Sequence, residues 1–312
     1  MRPSKLINGR FLYYYTFNPT YRKYAEVNMT GAAGQKRVSS NFLKHTRIFL
    51  PAVEEQTRIA QYLDYTCTAI DRAIAVKQQQ LKKLDQLRNS IIYKAVTKGL
   101  DDSVEMRDSG VDYVGKVPLN WNTCRLKDVV DFFNTVRVPL SAADRGIMTE
   151  KVYDYYGASG VIDKVEDYLF DGEYILVAED GANLLTRNSP LAFIAKGQFW
   201  VNNHAHILRP RYGDLNYFEY LLESLEYSIY VTGAAQPKLT KENLGSYKIA
   251  VPDSNMQEKI AAYLDIEIPK LNISYGKISE QIKVLQNYKK SLIHECVTGK
   301  RRISAADLKQ VA

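Results

Sequence analysis

Residues 51–64 read PAVEEQTRIAQYLD, and residues 252–265 read PDSNMQEKIAAYLD. With a constant shift of 201 positions, the match extends in one register from residues 35–99 to residues 236–300. Just upstream, Thr30-Gly31-Ala32-Ala33 matches Thr232-Gly233-Ala234-Ala235 once a single residue is dropped. An internal repeat of this length indicates one structural unit built twice.

Both copies carry residues alternately four and three positions apart that are mostly apolar, which is the spacing of a coiled-coil seam. Neither stripe has a partner in its own half, so the sequence predicts that the two helices pair with each other. Two amphipathic helices in separate cores are the alternative. The predicted seam contains Leu63, Ile70, Ile74, Leu81, Leu84, Ile91, Leu264, Leu271, Ile278, Ile282, Leu285 and Leu292.

The second copy contains a proline within its predicted helical region. Pro269 should break or kink a helix, and its counterpart Thr68 is a good helix N-cap. The sequence therefore predicts a short helix ending at Asp64 or Asp265, a break, and then a helix of about 28 residues. That second helix would span roughly 40 Å and act as a spacer of fixed length.

Composition limits the class of protein. A chain of 312 residues suits about two domains, and no window approaches the ~20 apolar residues of a membrane span. Cys67, Cys124 and Cys296 are scattered, as expected for reduced thiols, and we expect a cytoplasmic protein without a membrane partner. The net charge of +7 suits a polyanionic partner.

Apolar runs at 174–178, 191–195 and 199–201 predict strands, and residues 217–230 predict a helix. They indicate one complete α+β domain. The first copy is preceded only by the tail of such a domain, with a terminal strand expected within residues 38–50. The predicted parts are a domain remnant at 1–53, a helical module at 54–100, the complete domain at 101–253, a second helical module at 254–300 and a tail at 301–312.

His204 and His206 follow Asn202-Asn203 near the predicted strands. An i, i+2 pair on a strand would place both rings on one face, so a metal site must be weighed; too few further ligands accompany the pair, and we expect none. Asparagine can pair bidentately with adenine, or these side chains can satisfy buried backbone. The nearby Glu179-Asp180 pair is read as a turn rather than an acid–base site, since no nucleophile accompanies it.

Small residues flanked by tyrosines run from Tyr156 and Gly157 through Ser159. They match neither a dinucleotide fingerprint nor a phosphate-binding loop, and they suit close approach to a nucleic acid. Basic residues of the same domain, among them Arg137 and Arg187, are candidates for phosphate contacts or for a solvated surface. Lys238, in the repeated turn, is a further phosphate candidate.

Five stretches together resemble the specificity (S) subunit of type I DNA restriction–modification enzymes, over essentially the whole chain. Residues 50–64 and 90–100 match the ends of its conserved helices, and Asp108-Ser109-Gly110-Val111, with Pro118 and Trp121, opens the next domain in the family's manner. Residues 156–161 and 202–206 are similar to one subclass of its target recognition domains.

The resemblance implies an α+β fold with one complete target recognition domain and a remnant of another, joined by two long helices that form an antiparallel coiled-coil spacer. It implies a non-catalytic subunit that reads double-stranded DNA and directs adenine methylation and restriction by methyltransferase and restriction subunits. S-adenosylmethionine, ATP and magnesium would belong to those partners, and this chain would carry no cofactor, metal or catalytic residue.

The candidate DNA contacts are Tyr156, Gly157, Ser159, Arg187, Asn202, Asn203, His204, His206 and Lys238. Because the first recognition domain is incomplete, the sequence is also compatible with a truncated allele, a late start codon or a half-specificity protein that forms a self-dimer. Two other functions stay open: an interaction protein that docks the methyltransferase without specifying a site, and a metal-dependent nuclease.

Overall fold

The computed structural model describes residues 5–31, 34–233 and 236–311. Ala32-Ala33 and Ala234-Ala235 of the repeated turn lie outside the described residues. The chain divides into two compact units: Met1–Asp85 with Asn272–Ala312, called here the first unit, and Gln86–Leu271, the second unit. Among the helices of the described chain, none combines the length and the apolarity needed to cross a membrane.

The helices and strands follow in chain order. Before the first long helix come α1 (Gly9–Thr16), α2 (Pro19–Val27), β1 (Met29–Thr30), β2 (Arg37–Val38) and α3 (Ser40–His45). The first long helix is α4 (Val53–Lys98). It is followed by β3 (Met106–Asp108), β4 (Lys116–Pro118), β5 (Asn122–Arg125), α5 (Leu126–Val129), β6 (Val130–Phe132), α6 (Ala142–Gly146), β7 (Tyr153–Gly157), β8 (Gly160–Val165), β9 (Phe170–Ala178), α7 (Asn183–Thr186), β10 (Ala192–Val201), β11 (Ala205–Pro210), α8 (Leu215–Ser224), α9 (Lys241–Ser246) and β12 (Lys248–Val251). The second long helix, α10 (Ser254–Val297), and α11 (Ala305–Val311) complete the order, with 3-10 turns at Asn134–Val136 and Tyr227–Ile229.

The long helices are continuous, so the predicted break after Asp64 and Asp265 is wrong. Helix α4 has 46 residues and α10 has 44, and Pro269 lies inside α10. A proline inside a helix costs about 3 kcal/mol because it removes a backbone donor and clashes with the preceding turn. Here Leu264 and Ile268, just before it, are buried in the core of the second unit, and this packing outweighs the local cost.

In the first unit, the two long helices pair along the predicted stripes. Asp71 accepts from Lys289 Nζ at 2.6 Å, and Lys77 Nζ donates to Gln281 at 2.6 Å. Because the position on α10 falls as the position on α4 rises, the helices are antiparallel. The seam residues of this unit are buried or half-buried: Leu63, Ile70, Ile74, Leu81, Leu84, Ile278, Ile282, Leu285 and Leu292.

The second unit contains the α+β domain. Its six-stranded sheet has the order β6-β11-β9-β10-β7-β8, and every neighbouring pair is antiparallel except β10 with β7. Helix α8 buries Tyr217, Phe218, Leu221 and Leu222 in the same core as Ile175 and Val177 of β9. The seam residues Leu264, Leu271 and Ile91 also belong to this core or pack against it.

Two of the predicted strands form a single continuous strand. Residues 191–195 and 199–201 fall largely within β10, which runs through Gly197. Gly197 has φ +79° and faces Gly172 of β9, which has φ +125°. Glycine tolerates these angles, so the ladder continues through Gly197, where the sequence pattern indicated a strand end.

The expected terminal strand within residues 38–50 is also wrong. Strand β2 ends at Val38, α3 follows, and residues 46–50 have no regular structure. In the second copy, the equivalent residues form β12, which pairs with β5. A strand needs a partner to satisfy its backbone, and the described residues of the first unit offer none at this position.

Each unit ties the start of its long helix to a short helix with a buried glutamine. In the first unit, Gln56 Oε1 accepts from the Asn8 amide at 2.8 Å, and its Nε2 donates to the Pro51 carbonyl at 2.8 Å. In the second unit, Gln257 Oε1 accepts from the Asp214 amide at 3.1 Å, and its Nε2 donates to the Pro252 carbonyl at 3.0 Å. The repeat thus preserves contacts as well as sequence.

Candidate nucleic-acid interface

Segments from five parts of the second unit meet where strands of the six-stranded sheet end, on one side of that sheet. The Asn202 amide donates to the Tyr156 carbonyl at 3.0 Å, and the Glu179 amide donates to the His204 carbonyl at 2.9 Å. The Leu239 amide donates to the Glu179 carbonyl at 2.8 Å. We call this surface the loop edge; it comprises residues 134–137, 156–160, 179–181, 202–204 and 236–240.

Arg137 joins three of these loops. Its Nη1 donates to Glu179 Oε2 at 2.6 Å and to the Ala205 carbonyl at 2.7 Å, and its Nε donates to the Asn134 carbonyl at 3.0 Å. Lys238 Nζ lies 3.4 Å from the other oxygen of Glu179. Burial acts to raise the pKa of the Glu179 carboxyl, but Arg137 and Lys238 outweigh it, so this pKa lies below its ordinary value.

His206 supports the loop edge from inside. Its ring is fully buried, and Nε2 lies 2.7 Å from the Leu239 carbonyl, which can only accept. Nε2 therefore carries the proton, and Nδ1 accepts from Asn134 Nδ2 at 2.8 Å. Burial lowers the pKa of His206, against the opposing effects of Leu239 and Glu179, so the ring is neutral near pH 7.

His204 differs from His206 in its surroundings. It lies in the turn before β11, its side chain is 51% exposed, and its Nδ1 donates to Asp180 Oδ2 at 2.8 Å. The expectation that both rings share one face of a strand is therefore wrong, because only His206 is in the strand. The described residues contain no group of three or more metal-ligating side chains.

Asn202 and Asn203 also have different roles. Asn202 is buried, and its Oδ1 accepts from the His204 amide at 2.8 Å, which closes the turn. Asn203 is exposed. Gly157 lies beside this turn, and a Cβ there would lie 3.1 Å from Ile162 Cγ2, so the Ile162 side chain would have to shift by a few tenths of an ångström.

The structure groups most of the predicted DNA contacts at the loop edge. Ser159 is exposed in the turn between β7 and β8, and Tyr156 is half-buried at the end of β7. His206 lies beneath these loops in β11, and Arg187 lies elsewhere. Its guanidinium donates to the carbonyls of Glu223 and Leu225 at the C-terminal end of α8, so it stabilises that helix end.

A polar cavity of about 410 Å³ lies at the loop edge, lined in part by Asn134, Thr135, Thr240 and Lys241. No motif in the sequence distinguishes these four residues. The only signal was their position beside a short apolar strand and a helix cap, which many surface residues share. Their grouping depends on the pairing of β11 with β6 and β9.

Several other basic residues of this domain are already paired with carboxylates. Arg145 and Lys151 contact Asp163, and Arg211 contacts Asp131. These pairs account for part of the positive charge that the sequence offered for phosphate contacts. The loop edge, with exposed Asn203, His204 and Lys238, is therefore the better candidate surface.

Comparison with known proteins assigns the family. The model of the type I restriction modification DNA specificity domain matches residues 1–86 and 118–284. A putative type I restriction enzyme specificity subunit of Haemophilus influenzae is 33% identical over 141 residues, which cover 45% of this chain and 35% of the relative. The type I restriction enzyme MjaVIII specificity subunit of Methanocaldococcus jannaschii is 27% identical over 298 residues, which cover 88% of this chain and 67% of the relative.

The fold has a solved counterpart. A chain described under "complex assembly and conformational transition of the type I R-M system" gives a TM-score of 0.73 at 16% identity, covering 96% of this chain and 74% of that one. The chain thus spans between about one third and three quarters of the length of these proteins. Because the family model matches well over half of its residues, the chain belongs to the family of type I restriction–modification DNA specificity proteins.

Proposed function

We propose that this chain is a DNA sequence-recognition subunit of a type I restriction–modification complex, without catalytic chemistry of its own. The observation that carries the proposal is the loop edge, in which five chain segments meet on one sheet of a chain that belongs to the specificity family. Double-stranded DNA is its ligand, and adenine methylation and restriction are performed by partner subunits.

The loop edge divides into residues that contact DNA and residues that hold them. Asn203, His204 and Ser159 are exposed and suited to base edges or sugar, and Lys238 is suited to phosphate. His206 and Asn202 are buried and position these groups. Base specificity comes from the exposed set, because a buried side chain is not presented to a base edge.

The partners follow from the same proposal. The methyltransferase subunits, which bind S-adenosylmethionine, and the ATP- and magnesium-dependent restriction subunit dock on this chain in the cytoplasm. The self-dimer stays a prediction. Light scattering of the purified chain measures it, and a dimer that reads DNA should favour a two-fold symmetric site.

The proposal is tested by methylation of a duplex library with the methyltransferase subunits of the same system. Asn203→Ala should relax discrimination at one base pair, by roughly 1–3 kcal/mol. Asn202→Ala should weaken binding to all sequences alike, because it acts through the turn. Equal activity on every sequence with the unaltered chain would contradict the proposal and favour an interaction protein that specifies no site.

Two lysines provide a matched pair for phosphate contact. Lys238 and Lys196 each lie near a glutamate, at 3.4 Å and 3.0 Å, and their side chains are 53% and 61% exposed. Only Lys238 belongs to the loop edge. Lys238→Ala should reduce the dependence of DNA affinity on salt by about one unit of slope, whereas Lys196→Ala should leave it unchanged. Equal effects would remove the loop edge as the interface.

A further inference from the structure

The two copies of the repeat differ in what covers one short segment. In the second unit, β12 pairs with β5 in the register Lys248–Arg125 to Val251–Asn122, and Ile249 and Val251 are buried. The equivalent residues 47–50 of the first unit form no strand. Phe49 is 52% exposed and Leu50 is 40% exposed, although both are large apolar residues.

The residues just before the exposed segment form a capped short helix in both copies. Ser39 caps α3 in the first unit as Thr240 caps α9 in the second, each accepting from a backbone amide at 3.1 Å. Leu43 and Leu244 occupy the same place in the repeat, but Leu244 is fully buried and Leu43 is only half-buried. The first unit therefore retains the apolar residues of this part of a core without the segment that covers them.

The second unit shows what the covering segment is. Trp121 and Leu126, on either side of β5, are buried, and the Leu126 amide donates to the Tyr247 carbonyl at 2.8 Å. Upstream, the Tyr113 hydroxyl accepts from the Lys248 amide at 3.0 Å. Residues 113–126 thus supply a strand with an apolar anchor at each end.

We propose that residues 47–50 are an open binding site for one added antiparallel strand, with which they would form the pairing that β12 makes with β5. The complementary strand has the character of residues 121–126, with a large aromatic residue before it and an aliphatic residue after it. An exposed segment outside any ladder can pair with an added strand. A second copy of the chain is the weaker candidate, because its β5 is already paired with its own β12.

Amide hydrogen exchange of the 312-residue chain tests the edge directly. In the dilute chain, amides 47–50 should exchange much faster than amides 248–251, since only the latter lie in a described ladder. Equal protection of the two segments would overturn the proposal. Protection of 47–50 that rises with protein concentration together with a dimer mass would identify a second copy as the occupant, which also overturns it.

The probe for the added strand is a synthetic peptide of residues 113–128 of this chain. At about 90% occupancy it should slow exchange of amides 47–50 by about tenfold, because exchange then proceeds from the remaining free fraction. No slowing at millimolar peptide would overturn the proposal. The readout involves no DNA, so its failure leaves the proposed function standing.

Two proline variants of the peptide control for the geometry of the added strand. The Leu126 amide points at β12, so by the two-residue alternation of a strand the Cys124 amide does too and the Thr123 amide points away. The Cys124→Pro peptide should lose the effect, whereas the Thr123→Pro peptide should keep most of it. Equal slowing by both would indicate apolar adhesion instead of strand pairing and would overturn the proposal.

Discussion

Replacing Arg137 by methionine should destabilise the second unit through the carboxylate that it leaves behind. The guanidinium and the Glu179 carboxylate are only 14% and 11% exposed, and they lie 2.6 Å apart. Removing one partner of a buried ion pair costs about 3–5 kcal/mol, because the other charge stays buried without compensation. Lys238 remains 3.4 Å from Glu179, so we expect Arg137→Met to cost about 3 kcal/mol, the lower end of that range.

The pH dependence of this loss has a defined sign. In the unaltered chain the pKa of Glu179 lies below its ordinary value of 4.5, so its contribution to stability is present at neutral pH and is lost as pH falls through the lowered pKa. In Arg137→Met, burial is no longer outweighed and the pKa of Glu179 should rise. The variant then gains relative stability as the carboxyl protonates, so the difference between the two proteins should shrink from pH 7 toward pH 4.5.

Urea unfolding at pH 7 and at pH 4.5 measures this difference, and amide exchange at residues 202–205 assigns it to the loop edge. The matched control is Arg137→Met with Glu179→Gln, which removes the buried charge and should recover about half of the loss or more. A loss that does not change with pH, or a double variant as unstable as the single one, would refute the reasoning.

Three further changes test the fold. Gln257→Ala leaves the Asp214 amide and the Pro252 carbonyl without their partner, so urea unfolding should show a loss of about 2–4 kcal/mol; an unchanged midpoint would contradict the tether. Leu285→Asp places a carboxylate in the seam and should lower the melting temperature measured by circular dichroism, by the equivalent of about 2 kcal/mol, whereas an aspartate at the exposed Lys283 should not. Gly276→Ala, in α10 with open space around the added Cβ, should raise the melting temperature by the equivalent of about 0.5–1 kcal/mol, and a decrease would mean that this helix position is strained.

Local pattern was sufficient for the parts that depend on neighbours in sequence. The stripe from Leu63 to Ile91 predicted which face of α4 is covered, because helical periodicity brings those residues to one side whatever they pack against. The apolar run at 174–178 predicted the buried end of β9, because a continuous apolar run is typical of a strand covered on both faces. The repeat predicted equivalent helical modules in both copies, and the two long helices do begin at equivalent positions, Val53 and Ser254, without the predicted break.

Tertiary structure decided the features that depend on residues far apart in the chain. Pro269 signals a break locally, yet packing around it holds α10 continuous. His204 and His206 look alike in sequence, but only the second lies in β11, beside β9 and against the Leu239 carbonyl, so only the second is buried and neutral. Nothing in the sequence distinguishes Arg137 from the other basic residues, because its partner Glu179 comes close only in the folded chain.

The two copies of the repeat show this division most clearly. Residues 46–50 and 247–251 share the isoleucine at Ile48 and Ile249 and an apolar end, so pattern alone predicts the same strand twice. Only the second forms, because β5 satisfies its backbone and covers its apolar face. Sequence by itself determined the repeat, the helices and the apolar positions. Which of those positions become core was decided by the segment that reaches them, since a strand is stable only with a partner.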